Sequence, residues 1–199
     1  MKSSEKAQHK QRRLTTVELA YIAVSVALIT VCSWINVPIG PVPFTLQTFA
    51  VFLTGSLLGG SSASLAVIVY MLLGAFGIPV FSGMKGGLAV LFGPTGGYIL
   101  GFLCITLLLA LSERHFGRGL LPTVLTMITG LLLCYGFGTL WFMHVYIGED
   151  GSRPGLLSVL SLCVFPYLLP DALKMALALG IGNNKTLRRL IRESRQGKN

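Results

Sequence analysis

The stretch V-E-L-A-Y-I-A-V-S-V-A-L-I-T-V-C-S-W-I, Val17 to Ile35, carries one acid at its edge and no other charge. About 20 such residues cover the roughly 30 Å of hydrocarbon in a bilayer. Read alone it could be a secretory leader, but it is too long and has no obvious small-residue cleavage site. The rest of the chain is also just as apolar. Apolar residues make up 53% of the chain and charged residues 12%, about half the charge of an ordinary soluble domain. The reading is an all-α integral membrane protein with six transmembrane helices.

Working outward from that block, the expected spans are Val17 to Ile35, Leu46 to Leu58, Ala63 to Phe76, Pro94 to Leu111, Leu120 to Ile147 and Leu156 to Ile181. Pro94 suits the first turn of the fourth. Gly59-Gly60-Ser61-Ser62 reads as a turn. Gly130, Gly136 and Gly138 allow the fifth helix to bend or pack closely. Gly77 to Gly93 is a glycine-rich connection too apolar for an ordinary loop, as Leu88-Ala89-Val90-Leu91-Phe92 shows. Non-helical backbone at membrane depth is tolerated where it is buried in protein or lines a cavity. The chain divides into a basic segment 1–14, a membrane domain 15–182 and a basic tail 183–199. No internal repeat is evident, which disfavours an inverted-repeat carrier.

The net charge of +9 is unevenly placed. Lys2, Lys6, Lys10, Arg12 and Arg13 precede the first span, and Lys185, Arg188, Arg189, Arg192, Arg195 and Lys198 follow the last. Arg114 and Arg118 occupy the one basic internal loop. Positive segments stay in the cytoplasm, so both termini are expected there and the span number is even. Topology and contact with anionic lipid account for this charge better than nucleic acid does. Cys32, Cys104, Cys134 and Cys163 all lie in apolar spans without a C-x-x-C pair and read as small hydrophobes. His9, His115 and His144 are far apart, so no metal is expected. No G-x-S-x-G or G-x-x-x-x-G-K-[ST] motif occurs, and an enzyme is disfavoured.

Asp171 and Lys174 stand in the middle of the sixth span. Each such charge costs about 2.5–3.5 kcal/mol on insertion scales, and intramembrane ionisable groups mark substrate pathways. Three residues apart, they share a helix face and can pair. Pro166 and Pro170 each leave a carbonyl without its usual donor, so a kink just before Asp171 is expected. In the first outer loop, G-P-V-P-F-T-L-Q-T, stiff prolines present Phe44, with Thr45 and Gln47 as hydrogen-bonding groups. The Phe81 to Gly87 loop, with Phe81, Gly83 and Lys85, and Tyr98 beyond it, completes the candidate ligand set. Ala20, Ala23 and Ala27 form a small-residue stripe on the first helix, where another helix can approach closely.

From Gly40 to Lys174 the motifs G-P-V-P-F-T-L-Q-T, G-I-P-V-F-S-G, G-G-L-A-V-L-F-G-P-T-G-G-Y and P-D-A-L-K resemble the BioY family. Its members are the biotin-specific S components of energy-coupling-factor transporters. The resemblance implies a six-helix protein of a bacterial or archaeal cytoplasmic membrane that holds biotin beneath the first outer loop. It implies that Asp171 and Lys174 belong to the site, and that the patch around Ala23 and Ala27 faces a membrane coupling subunit. Two cytoplasmic ATP-binding-cassette ATPases complete such a transporter, and no cofactor beyond the transported ligand is implied. Competing readings are an S component for another small vitamin and an ion-coupled carrier using Asp171 and Lys174 as a relay.

Overall fold

The computed structural model describes residues 14–38, 40–148 and 151–195. The basic residues Lys2 to Arg13, the acidic pair Glu149 and Asp150, and Lys198 lie outside these described residues. The elements, in order, are α1 (Thr16–Trp34), β1 (Asn36–Val37), β2 (Phe44–Thr45), α2 (Gln47–Leu58), α3 (Gly60–Ala75) and α4 (Leu88–Leu91). They continue with α5 (Gly96–Phe116), α6 (Leu120–Val145), α7 (Leu156–Cys163), α8 (Phe165–Gly182) and α9 (Lys185–Arg195).

The bundle wears its large apolar side chains outside. Val24, Leu72, Leu107, Leu121, Leu132, Leu140, Leu169 and Leu173 are all exposed. A contiguous apolar exterior far exceeds what a soluble monomer shows, and lipid is the solvent that suits it. Small hydroxyl residues are also buried inside, and several are satisfied by their own helix. Thr30 donates to the Val26 carbonyl at 2.9 Å, and Ser64 donates to that of Gly60 at 2.8 Å. Such back-bonding to the preceding turn hides the hydroxyl without needing water.

Helices α1, α5 and α6 are long and apolar enough to cross a membrane, and the bent pair α7–α8 makes a fourth candidate. Helices α2 and α3 have 12 and 16 residues. They therefore reach only about 18 and 24 Å at 1.5 Å per residue. Helix α5 packs on α6, α2 on α8, and α3 on both α1 and α5. Glycines set the α5–α6 crossing. A β-carbon on Gly130 would stand 2.9 Å from the Ile105 Cα, and one on Gly101 would stand 2.9 Å from the Cys134 Cα. Small residues let helices approach this closely in lipid, where dispersion contacts replace the hydrophobic effect. Gly136 faces nothing within 4 Å, so of the three glycines in α6 it has no packing role.

The structure corrects several sequence expectations. The proline-rich loop closes a short antiparallel ribbon, with Asn36 opposite Thr45 and Val37 opposite Phe44, so the chain is not purely helical. The expected turn at Gly59 to Ser62 is reduced to Gly59, at φ +90°, and α3 starts at Gly60. Pro94 precedes α5, which begins at Gly96 and continues through Arg114, so the loop that follows holds only Arg118 of the two arginines. The sixth span breaks at Val164 by 41°, well before Asp171. Pro166 sits in the first turn of α8, where its missing N–H has no intrahelical partner to lose, and Pro170 lies inside α8 without ending it. The basic tail forms α9. Its Leu187 and Ile191 turn toward the bundle, while Lys185 and Arg189 are exposed.

Candidate functional site

At the ribbon end of the bundle, α2, α5, α6, α8 and the two connections at that end enclose a cavity of about 400 Å³. Its upper wall is the proline segment at Pro41 to Pro43, and its far wall is the segment after α3. That second segment is non-helical apart from the short α4, and three of its carbonyls are answered by side chains. Trp34 Nε1 donates to the Pro79 carbonyl at 2.8 Å, Ser33 Oγ to that of Val80 at 2.6 Å, and Trp141 Nε1 to that of Gly93 at 3.0 Å. Phe81 and Lys85 exchange backbone hydrogen bonds across a tight turn that places Gly83 at φ +70° and Met84 at φ +57°. Buried backbone must find such partners, and these side chains supply them.

On the floor of the cavity, Asp171 (3% exposed) and Lys174 (6%) are paired at 2.8 Å. Lys174 also donates to the Thr45 carbonyl at 2.6 Å and to Thr48 Oγ1 at 3.2 Å, and its ammonium stands 4.0 Å from the centre of the Phe44 ring. Asp171 accepts from Thr48 Oγ1 at 2.9 Å and from the Tyr135 hydroxyl at 2.6 Å. A buried ion pair holds when further hydrogen bonds satisfy both groups, and that condition is met. The ammonium uses its three donors, while the carboxylate keeps room for another. Tyr167 reaches over the same space to donate to the Val42 carbonyl. Asp171, Lys174 and Tyr167 of α8 thus hold the ribbon, α2 and α6 around one void.

Of the residues singled out in the sequence, Asp171, Lys174, Thr45, Gln47, Phe81, Lys85 and Tyr98 line the cavity. Phe44 does not line it; it lies behind the wall, under the Lys174 ammonium and stacked on Tyr167 with ring centres 6.2 Å apart. Gly83 is also absent from the lining, and its role is the left-handed turn beside Lys85. Gln47 uses both ends of its amide internally, accepting from Thr45 Oγ1 and donating to the Tyr70 hydroxyl. The Tyr98 hydroxyl is buried and has no hydrogen-bond partner among the described residues. Sequence reading missed Thr48, Tyr135 and Tyr167. Thr48 lies one residue past Gln47 in the motif already singled out; the two tyrosines are polar tips inside apolar helices, a recognisable if weak signal.

A profile of the BioY family matches residues 5–192.

The chain belongs to the BioY family.

Among its BioY relatives is a probable biotin transporter of Pyrococcus horikoshii. It is 41% identical over 162 residues, covering 81% of this chain and 91% of that one. The biotin transporter BioY2 of Lactococcus lactis subsp. cremoris is 44% identical over 164 residues, covering 82% of this chain and 87% of its own. In architecture the chain is similar to the crystal structure of the S-component for biotin from an ECF-type ABC transporter. There the TM-score is 0.72 at 27% identity, covering 88% of this chain and 90% of that one.

The stripe of Ala20, Ala23 and Ala27 is exposed on α1. Ala23 and Ala27 also line a shallow groove of about 380 Å³ whose other side is Val69 and Leu73 of α3. This BioY chain therefore separates two features in space: a mostly apolar cavity with a buried ion pair among α2, α5, α6 and α8, and an exposed small-residue face on α1.

Proposed function

We propose that the chain is the biotin-capturing S component of an energy-coupling-factor transporter in a cytoplasmic membrane. In this reading it crosses the bilayer six times with both termini in the cytoplasm, and it catalyses no reaction. Helices α2 and α3 are short for a full crossing, and the connections at the ribbon end, which line the cavity, complete their passage. The observation that carries the proposal is the Asp171–Lys174 pair, buried and opening into an otherwise mostly apolar cavity. That combination is the usual design of a small-molecule site.

The chemistry of the cavity suits biotin. Asp171 and Lys174 neutralise each other, so their neighbourhood suits the uncharged ureido group. A ureido N–H can donate to the spare capacity of the Asp171 carboxylate. Lys85 lines the cavity on the loop side and has no ion pair among the described residues. The site therefore carries one positive charge in excess, which matches one carboxylate. Phe81, Phe102 and Tyr98 offer apolar surface for the bicycle and chain.

Uptake then needs partners. The exposed Ala20, Ala23 and Ala27 face supports docking of a membrane coupling subunit, with two cytoplasmic ATPases driving the cycle. Equilibrium binding of radiolabelled biotin to the purified chain in detergent tests the proposal. Saturable binding at one site per chain, competed by biotin and not by other vitamins, is expected. Preferential binding of another vitamin would overturn the ligand assignment. Uptake that survives ATP depletion and collapses with the proton gradient would favour an ion-coupled carrier instead.

A further inference from the structure

At the opposite end of the bundle from the ligand cavity, the start of α1, the α2–α3 junction, the end of α5 and α9 surround a second cavity of about 560 Å³. Its lining combines two chemistries. Leu14, Leu58, Leu65 and Ala110 supply apolar surface, and Arg114, Arg118 and Arg195 supply guanidinium groups. The two carboxylates present are already engaged. Glu113 takes Arg118 Nε on one oxygen at 3.0 Å and the Gly60 N–H on the other at 3.1 Å. Glu18 stands 3.7 Å from Arg195, which also donates to the Leu58 carbonyl and to Ser62 Oγ. Arg114 is exposed and has no ion pair among the described residues.

A fourth guanidinium, Arg188, is anchored close by, donating to the carbonyls of Gly182 and Ser56. Burial, and then the neighbouring Arg118, push it below its ordinary pKa, the direction expected where positive charge accumulates. Among the described residues, four guanidinium groups thus gather here beside the carboxylates of Glu18 and Glu113. A basic pocket between membrane helices that is also lined by leucine matches a molecule with an anionic phosphate at one end and an acyl chain at the other.

We propose that this cavity binds one anionic phospholipid, its phosphate held by Arg114 and Arg118 and its chain laid against Leu58 and Leu65. Bound there, the lipid touches α1, α2, α3 and α5 at once and stabilises their junction with α9. The site is remote from the ligand cavity and stands whatever that cavity binds.

The test uses the full chain purified in an uncharged detergent, titrated with dioctanoyl phosphatidylglycerol, dioctanoyl phosphatidylcholine or inorganic phosphate while thermal unfolding is followed. Saturable stabilisation by phosphatidylglycerol alone is expected. Arg114→Gln should weaken its apparent affinity about fivefold, the effect of one basic residue near a charged headgroup. The lipid-free melting temperature and biotin binding should stay unchanged. Arg118→Gln, which also loses the Glu113 pair, serves as a second variant and should lower both lipid affinity and lipid-free stability. Equal stabilisation by phosphatidylcholine or by inorganic phosphate would overturn the proposal. So would unaltered phosphatidylglycerol affinity in Arg114→Gln. A variant that responds normally to lipid but fails to assemble with a coupling module would mark the cavity as a protein contact instead.

Discussion

The side chain on which the candidate site turns is Lys174, because it joins the ribbon, α2 and α8 through a single ammonium. Lys174→Ala removes a charged donor and leaves Asp171 buried beside Thr48 and Tyr135. Losing a hydrogen bond to a charged group costs about 1.5–3 kcal/mol, and about 1.4 kcal/mol is tenfold in affinity. Biotin affinity should fall roughly tenfold to over a hundredfold. Because the pair also ties elements together, the unliganded melting temperature should fall too, as breaking a buried pair costs about 3–5 kcal/mol. Asp171→Asn should act in the same direction. Affinity and melting temperature measured on the same preparations decide the assignment: intact affinity in both variants would remove these residues from the site. Lys85 supports a different expectation. Lys85→Gln should weaken biotin while leaving biotin methyl ester unaffected, and an equal loss for both would show that Lys85 does not read the carboxylate. Asp171 and Lys174 were legible in the sequence because charge inside a span has few innocent explanations. Tyr135 was not, since nothing along the chain relates it to a carboxylate 36 residues away.

Among the elements, α1 and α2 were the easiest to anticipate, their expected ends falling within a residue of those observed, and α8 the hardest. Long apolar runs also locate α5 and α6, although α5 continues past the expected Leu111 to Phe116. The three glycines singled out in α6 also forecast close packing, which Gly130 and Gly138 realise and Gly136 does not. Periodicity cannot say which glycine faces a neighbour when the helix is apolar all round. Gly101→Leu should therefore be costly and Gly136→Ala nearly silent. The first drives a branched side chain into the Cys134 backbone, at about 1–3 kcal/mol or more. Thermal unfolding in detergent measures both, and a Gly101→Leu protein as stable as the parent would mean the helices can separate. The break at Val164 was misplaced for an identifiable reason. Proline marks where a helical hydrogen bond is missing, but here Pro166 starts a new helix, and the irregular residue is the valine before it, at φ −125° and ψ −58°.

For the whole molecule, the charge asymmetry leads to a topology experiment. Single cysteines introduced as Ser3→Cys and Gly197→Cys should be protected from an impermeant thiol reagent in intact cells, while Ser152→Cys should be labelled. Labelling at only one tail would require an odd number of spans. The exposed α1 stripe leads to another. Ala23→Trp places an indole on the face beside Val69 and Leu73, so it should impair assembly or ATP-driven uptake while biotin binding by the isolated chain persists. Normal assembly and uptake would exclude this face from the coupling interface.

Composition and linear charge placement were enough to determine that the chain is built for lipid, roughly where its helices run, and which two charges its sixth span carries. These properties are written residue by residue, since hydrophobic length and the cost of a charge in hydrocarbon do not depend on neighbours far along the chain. Tertiary structure decided the rest. It closed the proline segment into a ribbon, because Asn36 to Val37 and Phe44 to Thr45 meet only when α1 and α2 stand side by side. It moved Phe44 behind the cavity wall and engaged Gln47 with Tyr70. It also brought Thr48 and Tyr135 to Asp171 and folded the tail into α9 against α1 and α2. Each of these depends on where one helix lies against another, and that is set by packing shape among side chains distant in sequence.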